Sequence, residues 1–181
     1  MSHHPGRRQA AGFSIIEMAV VVAIIAILIA FAVPNFREFL VNYRASTQAN
    51  DLIADVAFAR TEAVKLGRTV RVVADAGGWA SGWIVGADLD GDSTITGTEV
   101  MRQHGAIVEE FRLVEGGGLT TFSFGPAGNL TVPAAGNIEL AVCQPTGFSK
   151  HRAIVVNQVG RAEVRYWTGS DFGTGIAVSC T

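Results

Sequence analysis

Gly12-Phe13-Ser14-Ile15-Ile16-Glu17 opens an apolar run that continues to Val33 and meets Pro34. From Phe13 to Val33 there are 21 residues, and only Ser14 and Glu17 are polar. A helix of that length spans about 31 Å at ~1.5 Å per residue, the thickness of a bilayer's hydrocarbon core. Ahead of it lies a short leader carrying Arg7 and Arg8 and no acid. The positive-inside rule keeps such a leader cytoplasmic, so the bulk of the chain is expected on the far side of the membrane.

A secretory signal peptide has an apolar region of roughly 7–15 residues followed by a small-x-small cleavage site. Ala30-Phe31-Ala32 would supply the site, but the run before it is longer and carries a carboxylate. A plain signal anchor fits the length and leaves Glu17 without a role. A carboxylate at the centre of a membrane costs roughly 2.5 kcal/mol or more, so it is usually paired and functional. Cleavage between Gly12 and Phe13 would free an amine about 6 Å of helix rise from Glu17. The two do not easily meet within one straight helix, which makes the amine of a neighbouring subunit the natural partner.

This pattern resembles the type III signal of type IV pilins and pseudopilins: glycine, phenylalanine, glutamate four residues on, and proline twenty-one after the phenylalanine. The resemblance implies cutting by a prepilin peptidase between Gly12 and Phe13 and N-methylation of Phe13. It assigns Glu17 and Pro34 to assembly with other pilins. It also implies a bacterial inner-membrane protein, single-pass, with its C-terminal domain in the periplasm until it joins a filament. The expected organisation is a cleaved leader over 1–12, a transmembrane and assembly helix over 13–34, and a globular domain over 35–181.

Such a domain, of about 150 residues, is large enough for one sizeable core. The chain has 14 basic and 16 acidic residues, and two of the basic ones lie in the leader. This total does not indicate nucleic acid, but the charge is uneven. Residues 75–115 hold eight acids (Asp75, Asp88, Asp90, Asp92, Glu99, Glu109, Glu110, Glu115) against Arg102 and Arg112. The last third is locally basic, with Lys150, Arg152, Arg161 and Arg165 against Glu163 and Asp171.

Proline at 34 removes one helical hydrogen bond, yet the pattern resumes at once. Ala49, Leu52, Val56, Ala59, Ala63 and Leu66 recur at spacings of three and four, with Phe36, Leu40 and Tyr43 extending the stripe backwards. The spacing predicts one helix from Phe13 to about Leu66, capped by Gly67; a separate amphipathic helix after a break at Pro34 is the alternative. Beyond Gly67 the period changes to two. Strands are expected over Arg68–Val73, Trp79–Ala87, Val100–His104, Ala106–Val114, Leu119–Phe124, Asn129–Val132, Ile138–Cys143, Ala153–Asn157 and Arg161–Trp167. Short strands punctuated by Gly, Pro and Asn give antiparallel sheet, so the fold class is α+β, a long helix on one or two sheets.

Three features could carry chemistry. Asp88-Leu89-Asp90-Gly91-Asp92-Ser93-Thr94-Ile95-Thr96-Gly97-Thr98-Glu99 has acids at positions 1, 3 and 5 and Glu at 12 of a calcium-loop pattern. Ser93 stands where that pattern needs glycine, and the flanks are strand-like. The plain Asp/Gly turn is the preferred reading over calcium held by Asp88, Asp90, Asp92 and Glu99. No other cofactor is expected. Cys143 and Cys180 are the only cysteines; in an exported domain an even count normally pairs, which would staple the C-terminal tail to the sheet. The third feature is basic: Lys150, Arg152 and the stretch Gly160-Arg161-Ala162-Glu163-Val164-Arg165-Tyr166-Trp167. Strand alternation puts Arg161, Glu163 and Arg165 on one face. If two strands pair here as a hairpin, Arg161 would lie next to Lys150 and Arg152. Such a cluster beside Tyr166 or Trp167 could hold phosphates and stack bases; a solvated strand face with an internal Arg–Glu pair is the competing and preferred reading.

Ala57-Phe58-Ala59-Arg60-Thr61-Glu62-Ala63-Val64, then Gly82-Trp83-Ile84-Val85 with Asp88-Leu89-Asp90-Gly91-Asp92, and finally Ile154-Val155-Val156-Asn157 with Gly160-Arg161, resemble the FimT/GspH family of minor pilins and pseudopilins. The resemblance implies an extended N-terminal helix on two sheets, and a low-abundance subunit at the tip of a type IV pilus or a type II secretion pseudopilus. Some FimT-type members bind DNA through Gly-Arg-x-Arg near the C-terminus. Here Gly160 and Arg161 match, Glu163 occupies the fourth place, and the next arginine is Arg165. An enzyme is not expected: outside the leader the histidines are His104 and His151, both read as surface residues, with no nucleophile–base pairing or phosphate loop. Two function classes remain, an assembly subunit and a DNA-binding tip protein.

Overall fold

The computed structural model describes residues 13–92, 94–167, 178 and 180. The chain divides into two compact units, one up to Phe39 and one from Leu40 onward. Helix α1, Ile15–Leu66, runs without a break through Pro34. Its end follows from Gly67, whose φ of 63° lets the chain turn out of the helix while the Arg68 N–H closes on the Ala63 carbonyl at 3.3 Å. That six-to-one bond satisfies a carbonyl the helix would otherwise leave open.

In the second unit Ala45, Ala49, Leu52, Val56, Ala59 and Ala63 are the buried stripe of α1. Four of the six are alanine, so the helix lies close against what it covers. Phe36, Leu40, Tyr43 and Leu66, all expected in this stripe, are exposed. Six residues separate Tyr43 from Ala49, and at 3.6 residues per turn that rotates Tyr43 about 120° off the buried line. Val41 takes the place expected of Tyr43 and packs on the core.

Nine strands follow: β1 Val70–Asp75, β2 Gly78–Ala87, β3 Val100–His104, β4 Arg112–Glu115, β5 Thr121–Phe124, β6 Leu130–Val132, β7 Ile138–Cys143, β8 His151–Val156 and β9 Ala162–Trp167. They form a five-stranded sheet in the order β3-β2-β1-β5-β6 and a four-stranded sheet in the order β4-β7-β8-β9, with the pairings antiparallel. Period-two alternation sends Val70, Val72, Val85, Phe122 and Phe124 of one sheet, and Ile138, Leu140, Ile154 and Val156 of the other, into one core with the helix stripe.

The strand expected over Ala106–Val114 is shorter than its apolar content implied. Only Arg112 onward pairs. Ile107 donates its N–H to Ala80 at 3.1 Å and Phe111 closes a turn on Val108 at 2.8 Å. Ile107 and Phe111 are core residues delivered by a loop, which period alone does not distinguish from a strand.

Candidate functional site

The N-terminal unit holds the residues expected to act in processing and assembly. Ser14 starts α1: its Oγ accepts the Ile16 N–H at 3.4 Å and its carbonyl accepts Met18 at 3.2 Å. Glu17 lies in the first helical turn and is exposed, where the helix dipole favours a negative charge. From Ile15 to Val33 the large apolar side chains are exposed, and α1 is long and apolar enough to cross a membrane. Pro34 brings no N–H to the ladder, and one residue on Asn35 Nδ2 adds a side-chain bond to the Phe31 carbonyl at 3.1 Å. Gly12, the expected cleavage residue, lies outside the described residues.

The basic residues of the second unit do not gather into the cluster that the phosphate-binding alternative requires. β8 and β9 do form a hairpin, with Val156 opposite Ala162 and Arg152 opposite Tyr166. Arg161 therefore sits at the turn, and Arg152 near the other end, four residue pairs or about 14 Å along the strand beyond the last pair. Arg152 is also not a surface cation: it is 4% exposed. Its Nε and Nη2 donate to Ser46 Oγ at 3.1 and 3.0 Å, Nη2 to the Asn42 carbonyl at 3.3 Å, and Nη1 to the Lys150 carbonyl. Its guanidinium carbon lies 4.2 Å from the centre of the Tyr166 ring. Burial lowers its pKa, partly offset by Tyr166. An arginine held this way fastens β8 to α1 and has no face left for a phosphate.

Arg165 is hydrogen-bonded to Glu163, the internal pair expected of a solvated strand face. Lys150 is exposed. Arg161 is exposed, and its backbone is fixed by Asn157, whose Oδ1 accepts the Arg161 N–H at 2.9 Å. Gly160 has a structural reason to be glycine. Its φ is 78°, and a Cβ there would stand 2.2 Å from the Gly128 carbonyl and 2.9 Å from Arg60 Nε.

Cys143 and Cys180 are disulfide-bonded with Cα atoms 5.3 Å apart. Cys143 points away from the main core, into a small cluster with Ala141, Ala153 and Val178, and Arg112 Nη2 donates to the Cys180 carbonyl at 2.7 Å. Val178 and Cys180 thus lie on the outer face of the four-stranded sheet. Residues 168–177 lie outside the described residues.

Asp88, Asp90 and Glu99 do approach one another, but Glu99 is already engaged. Its Oε1 accepts the Leu89 N–H at 2.7 Å and its Oε2 that of Thr96 at 3.1 Å. Asp88 Oδ1 accepts Gly91 at 2.7 Å. Asp92 takes the Thr94 N–H and hydroxyl, both at 2.7 Å, bonds that lower its pKa. These carboxylates build the loop, as Asx-type turns do. His151 is half-buried; its Nδ1 accepts the Gln144 N–H at 3.0 Å, and burial, with Arg112 nearby, pushes its pKa below the ordinary value. His104 stacks on Trp83, ring centres 4.0 Å apart.

A family model described as Type II transport protein GspH matches residues 48–160, and one described as the prokaryotic N-terminal methylation motif matches residues 7–33. The chain belongs to the GspH family. Its fold is similar to that of the type IV minor pilin FimU of Pseudomonas aeruginosa, with a TM-score of 0.59 and 23% identity over 70% of this chain and 92% of that one. A second crystal form of FimU gives 0.55 and 24% over 66% and 91%. The minor pseudopilin EpsH of the Type 2 Secretion System of Vibrio cholerae gives 0.52 and 13% over 68% and 97%. These likenesses are of fold. A search of curated proteins returned no match.

Within the GspH-matched region, two contacts of α1 escaped the reading of the sequence. Asp55 accepts the Trp83 indole N–H and the Arg102 guanidinium, both at 2.8 Å, tying the helix to β2 and to edge strand β3. Arg60 Nε donates to the Gly128 carbonyl at 2.8 Å, against the Gly160 turn. The available signal was a charged residue directly beside each buried stripe position, Asp55 before Val56 and Arg60 after Ala59. The partners are far along the chain, and spacing does not name them.

Proposed function

We infer that this protein is a minor subunit of a type IV pilus or a type II secretion pseudopilus. In this reading a prepilin peptidase removes residues 1–12, Phe13 is N-methylated, and the helix from Phe13 holds the chain in the inner membrane with its domain in the periplasm. Other pilins or pseudopilins then receive that helix in the filament. The observation that carries the reading is the exposed apolar run of α1 with a single carboxylate, Glu17, in its first turn. A run of that kind needs two environments, lipid before assembly and neighbouring helices after it. A lone acid near its start suits the second, where the new amine of an adjacent subunit can neutralise it.

The test is Glu17→Ala, followed by the amount of subunit in the membrane and in sheared filaments. Membrane insertion should be unchanged or improved, because a charge is removed, while incorporation into filaments should fall at least severalfold. Wild-type incorporation would remove the basis of the amine–carboxylate pairing.

A further inference from the structure

We propose that Phe36 and Phe39 form an interfacial anchor that seats this subunit in the phospholipid headgroup layer on the periplasmic side of the membrane, with Arg37 reaching lipid phosphate. The proposal rests on the membrane reading of α1 and adds to it the surface that fixes its depth.

Position is the first argument. The apolar run ends at Val33 after about 31 Å of helix, which fills the hydrocarbon layer. Phe36 and Phe39 follow three and six residues later, about 4.5 and 9 Å farther along the axis. A bilayer is roughly 40–45 Å thick with its headgroups against ~30 Å without, so each headgroup layer is about 5–8 Å deep. The two rings fall at that layer and just beyond it.

Chemistry is the second. Phe36 and Phe39 are 61% and 62% exposed, and their ring centres lie 6.4 Å apart at an interplanar angle of 24°. They share one side of the helix and present a continuous apolar surface. Asn35, Arg37 and Glu38 are interleaved with them. Aromatic rings among polar and cationic groups suit the membrane–water boundary, where apolar faces enter the acyl edge and long cationic side chains extend to phosphate. At 100° per residue Arg37 and Glu38 stand about 130° from the middle of the Phe36–Phe39 face, one on either side. A headgroup layer hydrates both.

The experiment uses the processed chain from Phe13 onward in vesicles of phosphatidylethanolamine with a quarter phosphatidylglycerol. Because Cys143 and Cys180 are paired, a single introduced cysteine can be spin-labelled, one per variant: Ile24→Cys, Phe36→Cys, Phe39→Cys and Ala57→Cys. Collision rates with oxygen, which concentrates in lipid, and with a water-soluble nickel chelate then report depth. Label at 24 should be oxygen-dominated and label at 57 nickel-dominated. Labels at 36 and 39 should give intermediate ratios that place them at the phosphate level. Labels at 36 and 39 as nickel-accessible as that at 57 would overturn the proposal while leaving the membrane reading intact. Dipolar broadening at 36 and 39 that disappears on dilution with unlabelled protein would overturn it in favour of a second copy on this surface. Nickel access at 24 would overturn the membrane reading and the anchor with it.

Discussion

Arg152 and Tyr166 face each other across the β8–β9 pair, guanidinium carbon 4.2 Å from the ring centre, with the cation buried and the ring 77% exposed. The aromatic ring roofs a cation whose N–H groups are spent on Ser46, Asn42 and Lys150. Arg152→Ala should therefore cost about 2–3 kcal/mol, since it removes the charged hydrogen bonds to Ser46, Asn42 and Lys150 together with the ring contact. Urea denaturation of the unit from Leu40 onward measures this. A change within about 0.5 kcal/mol, typical of a surface position, would contradict the account.

Arg152 is inside and Arg165 is bound to Glu163, and the exposed Arg161 and Lys150 lie near opposite ends of the hairpin. Two separated charges release few counterions, so affinity for duplex DNA should be no better than the ~10⁻⁴ M of weak non-specific contacts, with a shallow salt dependence. Arg161→Gln combined with Arg165→Gln should leave a low-salt DNA titration nearly unchanged. Micromolar binding lost in that double variant would establish the turn as a DNA contact.

The same hairpin shows what was legible in the sequence and what was not. Alternation correctly placed Glu163 and Arg165 together, because period two is a local property of one strand. Which end of β9 meets Arg152 depends on register, set by the turn at Asn157–Arg161 and by the core positions of Val156 and Ala162. A run of 52 helical residues was readable from its apolar spacing, and Gly67 from its position at the end of it. Ile107 and Phe111 misled because a core residue on a loop and one on a strand share the same chemistry. Arg152 misled for a related reason: the Ser46 hydroxyl and the Asn42 carbonyl that hold it lie more than a hundred residues away, which no spacing announces.

His151 gives a pH dependence with a defined sign. Burial and Arg112 disfavour the imidazolium in the fold, so the folded pKa lies below the ordinary 6.5, and the unfolded chain binds more protons between the two values. The stabilisation is present in full above 6.5 and is lost as pH falls from there through the folded value. Urea midpoints at about pH 7.5 and about pH 5.5 should differ more in the wild type than in His151→Gln, where glutamine can still accept the Gln144 N–H. Equal acid slopes in the two proteins would show that His151 binds its proton equally well in the folded and unfolded chain, and would contradict the account.

The central claim is that Gly12–Phe13 is a cleavage site and Phe13 the start of an assembly helix. Intact-mass measurement of the protein extracted from membranes tests it most directly. The account predicts the mass of a chain beginning at Phe13 and carrying one added methyl group. A full-length chain still bearing Arg7 and Arg8, or one beginning at Val33 after cleavage at Ala30-Phe31-Ala32, would contradict it.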